Sequence, residues 1–249
     1  MFMTRKILQY SWALVVLWTI VSCRSIDRIR IDLPADWEEA WILYSFPLNE
    51  THPTAQVDTL IPTNHRLSWT PSQTDSLELI LIPASQPRYN RQGSAYKIQL
   101  YFTQEDRIHA QVTGNADAFR YTLKEGNRLN REVCTYTNLV APNLEAERVA
   151  MNRLYEIFQQ ERKEKIRIDT LLAPARDLHI ANRNFAVQYY KEHARDLASG
   201  HYWLQIFSAE AIPMESLMPY GVRNGLLKHR IDARMYPKVS KNKPTAQEK

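Results

Sequence analysis

The feature that most limits how this 249-residue chain can fold is a change of hydrophobic period at Gly126. Before it, apolar residues recur at every second position, the repeat of a strand with one buried face. Ile29, Ile31 and Leu33 alternate with Arg28, Arg30 and Asp32, and Trp41 to Phe46 forms a short apolar segment closed by Pro47. Val57 to Ile61 and Arg66 to Trp69 flank Pro62-Thr63-Asn64-His65, whose turn-forming residues predict a hairpin. Leu77 to Ile82 is a near-continuous apolar run stopped by Pro83, as expected of a buried strand. Tyr96, Ile98, Leu100 and Phe102 alternate with Lys97, Gln99 and Tyr101. Ile108, Ala110 and Val112 follow the turn Gln104-Glu105-Asp106, and Phe119, Tyr121 and Leu123 follow the turn Gly114-Asn115. Short strands at this spacing, separated by turn signals, predict an antiparallel β-sandwich or partial barrel.

After Gly126 the repeat becomes helical. Val149, Leu154, Ile157 and Phe158 fall close to one face, with Glu145 and Glu147 in the expected first turn and Arg162, Lys163 and Lys165 near the end. A second helix is expected from about Asp177 to Ser199, with Gly200 at the C-cap position. His201 to Ala209 and Pro213 to Met218 read as short helices, and Arg223 to about Arg234 as a last one, ended by Pro237. The layout is α+β with segregated elements. A β-domain occupies 23–125, a C-terminal helical region 126–236, and a Lys-rich polar tail, expected to be disordered, 237–249.

The first 22 residues stand apart from both halves. Arg5 and Lys6 precede an apolar run from Ile7 to Ile20, and Val21-Ser22 leads into Cys23. The run is shorter than the roughly twenty apolar residues that span a bilayer, and no stop-transfer flank follows it. This segment resembles a bacterial lipoprotein signal peptide with its lipobox. The resemblance implies cleavage before Cys23, a thioether-linked diacylglycerol on that cysteine, and usually an N-linked acyl chain. Two or more chains give stable anchoring where one gives only marginal binding. Arg24-Ser25 contains no acidic retention signal, so the implied address is the outer membrane, facing the periplasm.

Charge and cysteine content exclude several function classes. A net charge of +5, two units of which come from Arg5 and Lys6, is too slight and unclustered for a nucleic-acid partner. With Cys23 acylated, Cys134 is the remaining thiol, which permits no internal disulfide and no C-x-x-C pair. Cys134 reads as a small buried apolar residue. The seven histidines include no H-E-x-x-H and no i,i+4 helical pair, and His193 and His201 read as parts of a helix end and a turn. Ser94 after Gly93 lacks the rest of a nucleophile elbow, and the few glycines form no phosphate-cradling loop. No cofactor or metal is expected. Asp36, Glu38 and Glu39 read as a solvated loop, and the mixed charges of Glu161 to Lys165 as a self-paired helix surface. Trp37, Trp41 and Trp69 are the candidate ligand platform, because indole faces on a sheet can stack on a sugar ring; core packing is the competing role.

The order of features also resembles the N-terminal half of TlpA/ResA-like thiol-disulfide oxidoreductase lipoproteins, in which a lipobox, a small β-domain and a helical spacer precede a thioredoxin-like domain. The matching pieces are Trp41-Ile42-Leu43-Tyr44, Val57-Asp58-Thr59, the strands around Leu100-Tyr101-Phe102 and Ile108, Phe119 to Asn130, Phe185 to Trp203, and Leu217 to Arg223. The thioredoxin-like module and its C-x-x-C are not among them, so the resemblance carries over no catalytic residue. It implies a membrane-anchored, non-catalytic docking module, with a thioredoxin-like protein as a periplasmic partner. The alternative from a different class is a glycan- or small-ligand-binding lipoprotein.

Overall fold

In the computed structural model, residues 27–50, 53–71, 76–86, 95–160, 168–206 and 226–235 are described. The signal segment with Cys23, the expected helix at Pro213 to Met218 and the polar tail lie outside them. The fold is α+β, with strands first and helices after. The strands are β1 (Ile29–Asp32), β2 (Trp41–Pro47), β3 (Gln56–Leu60), β4 (Arg66–Trp69), β5 (Leu77–Pro83), β6 (Ile98–Phe102), β7 (Ile108–Asn115) and β8 (Ala118–Glu125). The helices are α1 (Arg128–Gln160), α2 (Ile168–Glu192), α3 (Ser199–Ile206) and α4 (Lys228–Met235).

The strands form two four-stranded sheets, of order β4-β1-β7-β8 and β3-β2-β5-β6. Pairing is antiparallel except where β1 runs parallel to β7. Alternation decides what each sheet buries. Ile29, Ile31, Leu67, Ala110, Val112, Phe119 and Tyr121 from the first sheet share one apolar cluster with Trp41, Leu43, Leu79, Leu81, Ile98, Leu100 and Phe102 from the second. On the other face of the second sheet, Tyr44, Ile80 and Ile82 are also buried, and Tyr101 joins a second cluster made mostly by the helices. This is why every residue of β5 and β6 is buried.

The expected hairpin between Val57 and Trp69 does not form. β3 pairs with β2 and β4 with β1, so residues 61–65 cross from one sheet to the other. Asn64 and His65 take the left-handed conformation, at φ 52° and 56°, and the His65 carbonyl accepts the Leu33 N–H at 2.8 Å. The turn residues were real, but they redirect the chain out of its sheet. The β7–β8 turn does form. Asn115 Oδ1 accepts the Asp117 and Ala118 N–H groups at 3.2 and 2.9 Å. Gly114 is required beside it, because φ is +108° and a Cβ would lie 2.5 Å from the Ala118 carbonyl oxygen.

Helix α1 begins well before the expected first turn at Glu145, because Pro142 lies inside the helix. Pro142-Asn143 followed by acids reads locally as a helix start, yet the preceding turns are held by packing. Asn127 caps them, its Oδ1 accepting the Asn130 N–H at 2.8 Å. Leu129, Val133, Cys134, Tyr136 and Ala141 are buried, whereas Val149, Met151 and Tyr155 beyond the proline are exposed. The second helix likewise starts and ends earlier than expected, and Gly200 lies inside α3, not at a C-cap. The described part of the last helix is Lys228–Met235.

The first half of α1 lies along the two adjacent sheet edges, β6 and β8. An edge strand leaves every second peptide unpaired, and burying such groups without partners is costly. Here side chains pair them. The Asn130 amide donates to the Tyr101 carbonyl at 2.8 Å and accepts its N–H at 2.7 Å. Asn138, two turns on, does the same for Tyr121 at 2.7 and 3.1 Å. The Tyr121 hydroxyl in turn donates to the Gln99 carbonyl at 2.9 Å and accepts its N–H at 3.3 Å. Thr103, just past the end of β6, gives its N–H to Asp106 at 2.8 Å.

Replacing Asn130 with Ala leaves two buried backbone groups unpaired, at about 1–3 kcal/mol each. Urea denaturation is expected to show a loss of about 2–4 kcal/mol for Asn130→Ala, and less for half-buried Asn138→Ala. Asn130→Asp should also destabilise, because a carboxylate cannot donate to the Tyr101 carbonyl. A change within about 0.5 kcal/mol of wild type for Asn130→Ala would contradict the edge-pairing role.

Candidate functional site

The candidate tryptophans do not make a platform together. Trp37 and Trp41 are 5% and 0% exposed, with ring centroids 5.7 Å apart, and both pack on Phe119 at 5.8 and 5.5 Å. Neither presents a ring face to solvent. Trp69 is half-buried against the same core. Cys134 is buried, its thiol donating to the Tyr121 carbonyl at 3.0 Å, and burial pushes its pKa up to about 11. It is therefore a thiol at neutral pH and a weak nucleophile. Asp36 and Glu38 are exposed, while Glu39 accepts the Ser85 N–H at 3.1 Å. Cys23 and the Glu161 to Lys165 run lie outside the described residues. Among the described residues, no group of three or more His, Cys, Asp or Glu is placed to hold a metal ion.

The open face of the first sheet carries a charge hub. Asp32, at the end of β1, accepts from Arg30 at 3.1 Å and from Arg66 across the antiparallel pair at 3.3 Å. His109 of β7 lies 2.7 Å from its other oxygen. The β7–β8 register skips Lys124 at an irregularity beside His109, and Lys124 reaches that same oxygen at 3.4 Å. Partial burial alone would raise the Asp32 pKa. The hydrogen bonds from His109, Arg30 and Lys124, with the His109 charge, override it and hold the carboxyl well below the usual carboxylate range. Its contribution to stability is present above that range and is lost as pH falls below it. This arrangement neutralises strand charges and leaves no oxygen of Asp32 for other work.

Concave space lies elsewhere. A cavity of about 350 Å³ opens between β6 and helices α1, α2 and α3. Lys97 and Gln99 enter it from the β6 end of the second sheet. Tyr136, Val140 and Leu144 of α1, and Phe185 and Ala186 of α2, supply apolar wall. Glu147, His179, Asn182 and Arg183 form a polar side. There the two Glu147 oxygens are occupied, one by His179 Nδ1 at 2.6 Å and the other by Asn182 Nδ2 at 2.7 Å. Gln99 gives its amide to buried Glu78 at 2.5 Å, and Glu78 also pairs with Arg230 of α4.

His201 of α3 is buried at 1% exposure, with Nδ1 2.9 Å from the Tyr101 hydroxyl and its ring edge-on to Tyr136 at 5.7 Å. Burial, reinforced by the Lys97 charge, pushes its pKa down to about 3. Burial likewise pulls Lys97 down to about 8. Among the described residues, the lining combines a neutral imidazole, an ammonium, a guanidinium, a carboxylate and amides with apolar wall, a set suited to orienting a ligand.

Sequence reasoning missed this site. Lys97, Gln99 and Tyr101 alternate with apolar residues as a solvent-facing strand would, and only the helices that cover that face make them interior. The one local signal was a lysine on the same strand face as a tyrosine, which periodicity does not separate from an exposed pair.

Because an unfolded histidine titrates near 6.5, the unfolded chain takes up a proton that folded His201 refuses until about pH 3. Stability is expected to fall as pH drops through that window, by at most about 1.4 kcal/mol per pH unit from this group. His201→Gln should flatten the fall between about pH 6.5 and pH 5, above the range in which an unfolded Asp32 takes up a proton. Parallel profiles of Tm against pH for the two proteins would contradict it. Compared with known proteins, the chain matches no family model, no curated protein and no solved structure, so the site is read from its own geometry.

Proposed function

We propose that this chain is an envelope lipoprotein that serves as a non-catalytic binding module, holding a small ligand in the cavity between β6 and helices α1 to α3. The observation that carries the reading is the cavity itself, about 350 Å³, with apolar wall on two helices and a few converging polar groups. That is the ordinary form of a small-molecule site. It replaces the tryptophan platform as the place where a ligand would sit.

The anchor rests on the sequence. Cys23 lies six residues before Ile29, where β1 opens, so an acylated Cys23 would hold the β-layer within about 20 Å of the headgroups. Among the described residues, no helix is long and apolar enough to cross a membrane. We infer further that the two mostly antiparallel sheets are the layers of a β-sandwich, a reading supported by the single apolar cluster to which both contribute.

A second reading is the docking of a periplasmic protein partner, such as a thioredoxin-like protein. It is favoured by Val149, Met151 and Tyr155 on α1, exposed at 53%, 48% and 65%, and by Ile180 on α2 at 46%. A pull-down from solubilised envelope should lose its partner in a Met151→Lys, Tyr155→Lys variant; recovery of the same proteins by that variant, or of none by wild type, would remove this reading.

For the leading reading, a thermal-shift screen of small aromatic and aliphatic compounds is expected to yield ligands that stabilise by about 2.7 kcal/mol at a hundred times their Kd. Ala186→Trp, which fills the cavity, should abolish the shift. A shift that survives the filling substitution would place the ligand elsewhere. Mass spectrometry of the mature N-terminus should find acylated Cys23; an unmodified Cys23 would defeat the anchor.

A further inference from the structure

We propose that the open face of the first sheet rests on an anionic membrane surface, formed by the headgroups of the leaflet that holds Cys23. The inference rests on the lipoprotein reading and adds which face of the molecule meets the bilayer.

Strand pairing collects on this face cations that are far apart in the sequence. Arg30 lies between Ser68 of β4 and His109 of β7, and Asp32 between Arg66 and Gln111. Phe119 and Tyr121 of β8 fill the inter-sheet cluster, so alternation turns Arg120 to the open face, across from Thr113. Arg30, Arg66 and Lys124 share the carboxylate of Asp32, and their side chains stay 40%, 42% and 46% exposed. One acid therefore answers three cations whose charge still reaches solvent. Among the described residues of β1, β4, β7 and β8, the lysines and arginines are Arg30, Arg66, Arg120 and Lys124, and the acids are Asp32 and Glu125. Arg28, exposed where the chain enters β1, adds a further cation. Helix α1 meets this sheet at the β8 edge, where Asn138 holds Tyr121.

The remainder of the face is small and polar. Ser68, Gln111, Thr113 and Thr122 are exposed, and none of the large apolar side chains exposed among the described residues lies on these four strands. A protein partner would call for apolar or aromatic anchors, and a single-stranded nucleic acid for rings on which its bases stack. The aromatic residues of this sheet, Trp69, Phe119 and Tyr121, belong instead to the inter-sheet cluster. A broad layer of fixed negative charge matches the face, because each cation brought near it strengthens binding about fivefold. The N-terminal chain argues for a membrane as the source of that charge. Cys23 lies six residues before Ile29, and the chain enters the sheet at β1, one of its two inner strands. A tether of at most about 20 Å keeps the face within about two Debye lengths of the headgroups. So short a linker sets an effective concentration in the millimolar range, at which a modest charge excess orients the whole domain.

The test uses the full mature chain on phosphatidylcholine vesicles with and without about one-third phosphatidylglycerol. A fluorophore is attached at Thr122→Cys, and a nitroxide on the lipid headgroups quenches it on contact. Cys134 stays unlabelled because its thiol is buried. Quenching is expected to be about threefold stronger on the anionic vesicles, and to fall to the neutral-vesicle level at about 1 M salt. The same fluorophore at Thr59→Cys, exposed on β3 of the other sheet, should not distinguish the two vesicles. Arg120→Glu, which leaves the Asp32 ion pairs in place, should cut the anionic excess by about half. Adding Lys124→Glu should remove it, with far-UV circular dichroism unchanged. Equal quenching on both vesicles, by a chain that both retain, overturns the face and leaves the anchor in place. Retention by neither vesicle overturns the anchor and this inference with it. An anionic excess that survives both charge reversals puts the contact on another surface and overturns this one. A Thr122 fluorophore that double-stranded DNA shields in solution, but anionic vesicles do not reach, assigns the face to a soluble polyanion and overturns the membrane.

Discussion

The interaction on which the rest depends is the pairing of two sheet edges by side chains of a single helix. Asn130, Cys134 and Asn138 recur at four-residue spacing along α1, and all three reach backbone atoms of β6 or β8. A carboxamide carries a donor and an acceptor with the spacing of a peptide group, so each asparagine does for its edge what another strand would do. The Tyr121 hydroxyl completes the set by serving both the N–H and the carbonyl of Gln99. Because these bonds are largely buried, they are strong and intolerant of loss, and they fix the helix in both rotation and height. Val133 then points into the helical cluster while Cys134 points into the inter-sheet cluster. One helix thereby joins two cores.

Fixing α1 fixes the cavity. Its floor is the face of β6 that the helices cover, and its walls are the flanks of α1 and α2 just past the asparagine stripe. Polar residues of β6 are consequently interior without being in the core between the sheets. Each acquires a specific partner: Gln99 takes Glu78, Tyr101 takes His201, and Glu78 also takes Arg230. Lys97, just before the strand, lines the hollow. The unusual acid–base character of this region follows from that geometry. Burial acts on groups that the strand period placed on a polar face.

Much of the strand layout was legible, because period-two alternation is a property of neighbouring residues and survives in any sheet. Which strand pairs with which was not. Pro62-Thr63-Asn64-His65 has the composition of a hairpin turn, and its left-handed residues serve equally well to leave one sheet for the other. The parallel pairing of β1 with β7 is invisible locally, since the partners are separated by most of the β-region. The start of α1 was hidden for another reason. Thr135, Thr137, Asn138 and Val140 are weak helix formers, and Pro142 imitates a first turn; tertiary packing on the sheet edges outweighs both. The cavity escaped notice because burial of a polar face needs a cover, and the cover is three helices that begin at Arg128, Ile168 and Ser199, well beyond the strand in sequence. At the other extreme, the core role of Trp37 and Trp41 was weighed from the sequence and is where the structure puts them.

The backbone passes from one sheet to the other through residues 61–65, between β3 and β4, and through residues 103–107, between β6 and β7. At the β6 and β8 edges the asparagine stripe and one phenol add a non-covalent clasp. Any fluctuation that lifts α1 from those edges must break the clasp as a unit, because the amides of Gln99, Tyr101 and Tyr121 share adjoining partners. Those three N–H groups should exchange with solvent together, at the rate at which α1 lifts away. Since the same helix forms a cavity wall, a ligand seated there would slow the exchange of peptide groups it never touches.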